Sequence, residues 1–317
     1  EHLAWNKESL ALAGITEKKL SQPVPTNFIR KGLAEKMAAA LQVPASTPFC
    51  IGASDGCLAN LGTNALKNGT AAITIGTSGA VRVARTTPLR NYSTMSFNYL
   101  LDEATFICGG PVNNGGSVVQ WLLKNFLSRE PVKEEDYHEL FAMIETVPAG
   151  CKGLLFLPYI NGERAPMWDE ESCGVFFGVR SYHSQAYFLR AALEGVCLAL
   201  QEVLSTIEDP AHPIQQVNAS GGFVQSPVWV QLLADVTGKK ISVLQTEDAS
   251  AIGAAWLGLK ALHIVSDYSS LQHETGSDIH PQKEAVEVYK KALEVFKTLY
   301  PSLKASMHLL RNSGHEQ

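Results

Sequence analysis

A single acid set among glycines is where this sequence can first do chemistry. Asp55 lies in Gly52-Ala53-Ser54-Asp55-Gly56, a tight turn whose glycines allow positive φ and close approach of a ligand. Further on, residues 71–75 read as a strand that runs into Gly76-Thr77-Ser78-Gly79. Successive backbone N–H groups and two hydroxyls in such a turn can cradle a phosphate. A carboxylate that accepts a hydroxyl proton and a cradle that holds a nucleotide are the parts phosphoryl transfer needs. Each also has a plain structural reading. Asp and Gly favour turns for local reasons, and Gly-Thr-Ser-Gly between apolar runs is an ordinary hairpin connection.

Two more segments place glycines where a strand meets a helix. Residues 109–116, Gly-Gly-Pro-Val-Asn-Asn-Gly-Gly, read as a loop, with an αL turn at Asn113-Asn114 as the commoner explanation. The helix after it carries Val118, Val119, Leu122, Leu123 and Phe126 on one face. Its glycine-rich N-terminus is a second place for an anion. Residues 217–220 read as a strand ending in Gly221-Gly222-Phe223. Ser226-Pro227 then starts a helix, with serine as N-cap and proline at the first helical position, and Gly238 ends it.

The remaining elements must position these loops. Helices are expected from Leu3 to Gly14 and over 33–41, 58–66, 187–208 and 284–300, the last stopped by Pro301. Strands are expected over 48–52 (short and buried), 96–101, 105–108, 153–159 and 240–244. Residues 128–139 are charged and read as a solvated helix or insertion. Glu163 and Arg164 sit in a turn as an ion pair whose plain role is to tie the loop down. Glu247-Asp248-Ala249-Ser250 caps a helix to 262 that is rich in Ala and Gly and able to pack close to a neighbour. Alternating strands and helices with glycine-rich turns at strand ends describe an α/β domain whose ligand sits on loops at one sheet edge. A Walker loop, an H-R-D and a G-x-G-x-x-G after a strand are all missing.

Composition narrows the partners. Hydrophobic residues make up 45% and charged residues 18%, ordinary for a globular protein with a sizeable core. A net charge of −5 argues against nucleic acid or an anionic membrane surface as partner. No apolar run reaches the length that spans a bilayer, and no signal peptide opens the chain. Six scattered cysteines without a Cys-x-x-Cys pair read as free thiols in a reducing cytoplasm. Nine histidines show no metal-ligand spacing, and no structural metal is expected.

Taken together and in order, the motifs resemble the FGGY carbohydrate kinases, within the actin/hexokinase/Hsp70-like ATPases. The segments are GASDGCLANLG (52–62), AITIGTSGAVR (72–82), GGPVNNGGSVVQWL (109–122), LPYINGERAPMWD (157–169), GVFFGV with FLRAALEG (174–179 and 188–195), ASGGFVQSPVWVQLLADVTGKKI (219–241) and EDASAIGAAWLGL (247–259). The wording is most like the gluconate kinases, with xylulose kinases similar over GER and FLRAALEG. Tyr187 and Cys173-Gly174 depart from the usual family residues, both in scaffold rather than in the phosphate loops.

The resemblance implies an actin/hexokinase-like (ribonuclease H-like) α/β ATPase domain, the second of two FGGY domains. It implies an ATP-dependent sugar kinase that phosphorylates D-gluconate to 6-phosphogluconate, with Asp55 as general base. Gly76, Thr77 and Ser78 match the second phosphate loop. Gly116 and Gln120 match positions near the phosphates and ribose, and Gly221, Gly222 and Ser226 match the adenosine loop. ATP and Mg²⁺ are the implied cofactors, the metal held by phosphate oxygens and water. The family's Asp-x-Gly-Thr-[ST] loop occurs nowhere in the chain. Residues 1–48 are therefore expected to be the tail of the first domain and the crossover, and 49–317 the C-terminal domain. The implied partners are a sugar acid, the preceding domain and, as an option, a second copy in a homodimer. The alternatives are a xylulose or other polyol kinase and, in another class, a nucleotide-binding domain without activity.

Overall fold

The structure is a computed structural model and describes residues 3–211, 213–244, 248–271 and 275–314. In chain order its elements are α1 (Lys7–Leu12), β1 (Ile29–Arg30), α2 (Glu35–Leu41), β2 (Phe49–Cys50), α3 (Asp55–Gly62), β3 (Thr70–Ile75), β4 (Gly79–Arg85), β5 (Phe97–Asp102) and β6 (Thr105–Val112). They continue with α4 (Gly116–Asn125), α5 (Glu134–Glu145), β7 (Leu155–Leu157), β8 (Val175–Phe177), α6 (Gln185–Ile207), β9 (Gln216–Ser220), α7 (Pro227–Thr237), β10 (Lys240–Leu244), α8 (Ala249–Ala261), β11 (Thr275–Ile279) and α9 (Lys283–Gly314).

Seven strands form one mixed sheet in the order β11-β10-β9-β3-β4-β6-β5. β3, β9 and β10 run parallel, while β3, β4, β6 and β5 pair antiparallel. Side chains alternate across the sheet, so each strand feeds two cores. Ala71, Ile73, Ile75, Val81 and Val83 face the larger core, which surrounds the long buried helix α6. Leu101 and Ile107 face a smaller core with Cys57, Leu58 and Leu61 of α3 and Trp256 and Leu257 of α8. This layering is what brings α3, and Asp55 with it, onto the sheet face opposite α6.

The expected small-residue packing of α8 is seen, and its neighbour is α3. A Cβ on Gly253 would stand 1.9 Å from the Leu58 carbonyl oxygen, and one on Gly62 would stand 2.0 Å from that of Ala249. The two backbones touch, a distance only glycine tolerates.

Several boundaries differ from the sequence reading. Asp55 is the first residue of α3, not part of a free turn, because the Ser54 hydroxyl accepts from the Cys57 N–H and caps the helix. That helix ends at Gly62, short of the expected 66. Residues 109–112 belong to β6, not to a loop. Gly109 is there because a Cβ would stand 2.1 Å from the Val81 carbonyl oxygen, and Gly110 because one would meet Ala165 and Val203 within 2.8 Å. Pro111 is tolerated because the β5 pairing stops at Gly109, so its missing N–H leaves no ladder bond unmade. The strand expected over 48–52 is short, as read, at Phe49–Cys50, but not buried: Phe49 and Ile51 are exposed. The first helix starts at Lys7, capped by Asn6, rather than at Leu3.

Pro301 does not end α9, which continues to Gly314. Contacts on both sides of the proline hold it: the Tyr300 hydroxyl just before it and His308 Nε2 after it each lie 2.7 Å from Asp169 Oδ2, and Met307 is buried. His308 Nδ1 meets Glu171 Oε2 at 3.3 Å. The two ring nitrogens of one imidazole thus face two carboxylates. Burial works to raise the Asp169 carboxyl, but the bonds from His308 and Tyr300 outweigh it and hold it below the usual carboxylate range. All six cysteines are unpaired, four of them buried. Among the described residues no helix is long and apolar enough to cross a membrane.

One buried carboxyl makes stability depend on pH. Burial on α6 pushes the Glu202 carboxyl up to about 7, against a weaker pull from Lys297. The native state therefore holds a proton there that the unfolded chain releases near its ordinary value. Stability from this group is present below that value and is lost as pH rises through about 7. Glu202→Gln is expected to stabilise the fold by on the order of 2–3 kcal/mol at pH 8 and hardly at all at pH 4.5. Urea unfolding of both proteins at the two pH values checks this; an equal gain at both would refute it.

Candidate active site

Two glycine-rich loops are laced together at the ends of β3 and β6. The Gly116 N–H donates to the Gly76 carbonyl at 2.7 Å, and the Ser117 and Gly115 N–H groups donate to the Thr77 carbonyl at 3.0 and 3.2 Å. Glycine is required on this seam: a Cβ on Gly115 or Gly116 would stand 2.7 Å from the Ser78 or Gly76 carbonyl oxygen. The Gly76 N–H is itself taken by the Ser78 carbonyl at 2.8 Å. The cradle is thus narrower than the sequence suggested, with Thr77 and Ser78 as its exposed groups.

Glu163 sets the second loop from behind. It is 2% exposed. Its Oε1 accepts from the backbone N–H of Asn113 at 2.5 Å and of Arg164 at 2.8 Å, and its Oε2 accepts from Asn114 Nδ2 at 2.9 Å. Burial raises this carboxyl, opposed first by the Asn114 bond. Among the described residues Glu163 and Arg164 form no ion pair; the Arg164 guanidinium donates to the Val112 carbonyl instead. The pair does tie a loop down, through backbone bonds rather than through charge. Asn113 and Asn114 are not left-handed, so the αL turn expected there is absent.

A third loop closes the group. Gly221 has φ +100°, and a Cβ on it would stand 2.4 Å from the Ile75 carbonyl oxygen. Gly222 beside it has no atom within 4 Å of where a Cβ would stand, which leaves room for a flat ligand against the backbone. Ser226 caps α7 by accepting from the Trp229 N–H, and Pro227 follows as expected.

Between these loops lies a cavity of about 600 Å³. Of the predicted binding residues, Gly76, Thr77, Gly116, Gln120, Gly222 and Ser226 line it. Ser78 and Gly221 do not, although Ser78 stands exposed beside Thr77 on the same loop. The other wall is α5, with Tyr137, His138 and Phe141, and the floor carries Phe223 and Trp229. The stretch read as a charged insertion is therefore part of the site. Its signal was present in the apolar spacing of Tyr137, Leu140, Phe141 and Ile144, which continues past the charged run. An apolar slot of this volume that opens onto exposed N–H and hydroxyl groups suits a nucleoside joined to phosphates.

Asp55 stands outside this cavity, exposed at the N-terminus of α3. Its Oδ1 accepts from the Gly56 N–H at 2.6 Å, and its backbone carbonyl accepts from the Ser250 hydroxyl of α8 at 3.3 Å. Polar side chains join it to the loops. Arg82 of β4 packs against Gly56, its Nη1 reaches Thr74 Oγ1 at 3.4 Å, and Thr74 Oγ1 lies 2.9 Å from Ser220 Oγ, just before Gly221.

Comparison with known proteins decides what this architecture is. The model of the FGGY family of carbohydrate kinases, C-terminal domain, matches residues 71–262. The chain belongs to that family. It is 40% identical to a gluconokinase of Bacillus licheniformis over 310 residues, which covers 95% of the chain and 60% of that protein. It is 24% identical to a xylulose kinase of Bacillus subtilis over 305 residues. The crystal structure of gluconate kinase from Lactobacillus acidophilus superposes with a TM-score of 0.91 at 29% identity, over 98% of this chain and 62% of that one. The chain thus spans about 60% of the length of the curated relatives it matches, and its fold is that of an FGGY actin/hexokinase-like ATPase domain.

Proposed function

We propose that this chain is the nucleotide-binding, acid-bearing half of an ATP-dependent gluconate kinase. The observation that carries the reading is the pairing of the two laced glycine loops with a cavity they share, next to an exposed carboxylate on a helix N-terminus. The identity to gluconokinases supports gluconate over xylulose as acceptor. In this reading residues 1–48 are the tail of a preceding FGGY domain and the crossover, and 49–317 are the C-terminal domain. The exposed Phe28, Met37, Leu41, Phe49 and Ile51 agree with a surface that another domain covers.

The residues divide the work by position. Phe223, Trp229 and the α5 wall take the base and exclude water from it. The backbone at Gly222 lets the ribose lie flat, and Thr77 and Ser78 hold the phosphates through hydroxyl and N–H groups. When bound, ATP supplies the phosphoryl group, and its Mg²⁺ neutralises charge on it. The phosphate end offers hydroxyls rather than carboxylates, so the cation is held by phosphate oxygens and water. Asp55 accepts the proton of the attacking sugar hydroxyl, and its exposure leaves it within reach of an acceptor held by the other domain. Glu163 acts through the loop it fixes.

The test is ADP formation by the chain joined to its upstream half, with gluconate, xylulose and glycerol in parallel and the chain alone as control. Turnover with gluconate only in the joined protein is expected. Turnover with xylulose alone would replace the acceptor, and turnover with no sugar would favour a non-catalytic nucleotide-binding domain.

A further inference from the structure

We propose that Arg82 is a positioning residue for the transfer step: its guanidinium, packed under the first turn of α3, is the counter-charge that lets the Asp55 carboxylate and an incoming polyanionic phosphate share one cleft. This rests on the reading of Asp55 as general base.

Strand geometry puts Arg82 there. Val81 and Val83 face the large core, so Arg82 points to the opposite face, beneath α3. A Cβ on Gly56 would stand 3.0 Å from its Nε and 3.1 Å from its Nη2, so the guanidinium lies against the backbone one residue from Asp55. On its other side Nη1 reaches Thr74 Oγ1 at 3.4 Å, a contact at the limit of hydrogen bonding.

The side chain is under-used for its burial. Nε is buried with no hydrogen-bond partner, and among the described residues no carboxylate lies within ion-pairing distance of the guanidinium. A fold rarely keeps a half-buried cation so poorly paired without a reason. Burial works against its charge, and the negative charge that most opposes this is that of Asp55, ahead of Cys57 and Tyr99.

The chemistry asks for a cation at this point. A carboxylate that takes a proton from an acceptor hydroxyl must stand close to phosphate oxygens, and the two anions repel. A guanidinium between the α3 turn and the Thr74–Ser220 pair that precedes the Gly221 loop offsets both. Among the described residues one of the five Arg donors is engaged by a side chain, which leaves the others available for this.

A double-mutant cycle in the full-length protein tests the coupling, with Arg82→Met, Asp55→Asn and the double variant. Arg82→Met is expected to lower kcat by about 10²-fold, with the KM for ATP and ADP affinity within about twofold. In the Asp55→Asn background the same change is expected to cost almost nothing, because the repulsion between carboxylate and phosphate that it relieved is gone. Added guanidinium ion is expected to restore part of the Arg82→Met rate and none of the Asp55→Asn rate. An equal loss in both backgrounds marks a structural role and overturns the proposal, as does no loss at all. Full activity of Asp55→Asn would instead overturn the general-base reading beneath it. Should Arg82→Met not fold, Arg82→Gln, which keeps a polar contact to Thr74, carries the same cycle.

Discussion

Asp55→Asn is expected to lower turnover by about 10²–10⁴-fold, the range that a positioned general base contributes, while leaving ADP affinity within about twofold. The geometry separates the two quantities. Asp55 is absent from the lining of the cavity, and among the described residues Arg82, Thr74 and Ser220 stand between it and the loops. Asparagine keeps an oxygen that can accept from the Gly56 N–H, so the first turn of α3 retains its bond. What is lost is the proton acceptor and a negative charge at a helix N-terminus, worth about 0.3–1 kcal/mol of stability. Calorimetric titration with ADP and steady-state rates in the joined protein read the two effects independently. Unchanged turnover would remove Asp55 from the reaction. A parallel loss of ADP affinity would mean that the substitution disturbs the loops and that the rate says nothing about a base.

The sequence made the chemistry more legible than the geometry. Local rules placed what local forces decide: Ser226 and Pro227 at the start of α7, Gly238 at its end, and Asp248 at the cap of α8. They failed where a distant part of the chain sets the requirement. Gly109 and Gly110 look like loop residues because the reason for them, the Val81 carbonyl and the Val203 side chain, lies on other elements. Pro301 looks like a helix stop, and the contacts of Tyr300 before it and of Met307 and His308 beyond it outweigh the lost bond. The same limit applied to the site. Glycines that line a cavity carry a readable pattern, and six of the predicted binding residues line this one. The α5 wall was hidden behind the charges on its outer face. Arg82 was visible only as part of a motif, since no local signal tells that a strand residue lies beneath a helix two elements earlier in the chain. Residue Glu247, read as part of the α8 cap, lies outside the described residues.

The seam between α3 and α8 carries the second large effect. Gly253→Ala is expected to destabilise the fold by about 1–3 kcal/mol, the usual penalty of overpacking, and to lower turnover without changing ADP affinity. The added methyl would stand 1.9 Å from the Leu58 carbonyl oxygen, 2.6 Å from its carbon and 2.9 Å from its Cα. These are backbone atoms, so no rotamer change relieves the clash and the helices must separate. Gly62 presents the reciprocal contact to the Ala249 carbonyl, which leaves little room to slide along the seam. Because α3 has eight residues and begins at Asp55, a shift of the helix is a shift of the acid. The cavity proposed for the nucleotide is built from α4, α5, α7 and the loops, none of which shares this seam, so binding is expected to be spared. Gly258→Ala on the same helix is the control. No atom lies within 4 Å of its would-be Cβ, and alanine in a helix interior gains up to about 1 kcal/mol over glycine. Opposite signs for the two substitutions in urea unfolding, with a rate loss only for Gly253→Ala, are the expected result. Equal effects would mean that helix propensity rather than the α3–α8 contact governs stability here, and that the contact does not hold Asp55 in place.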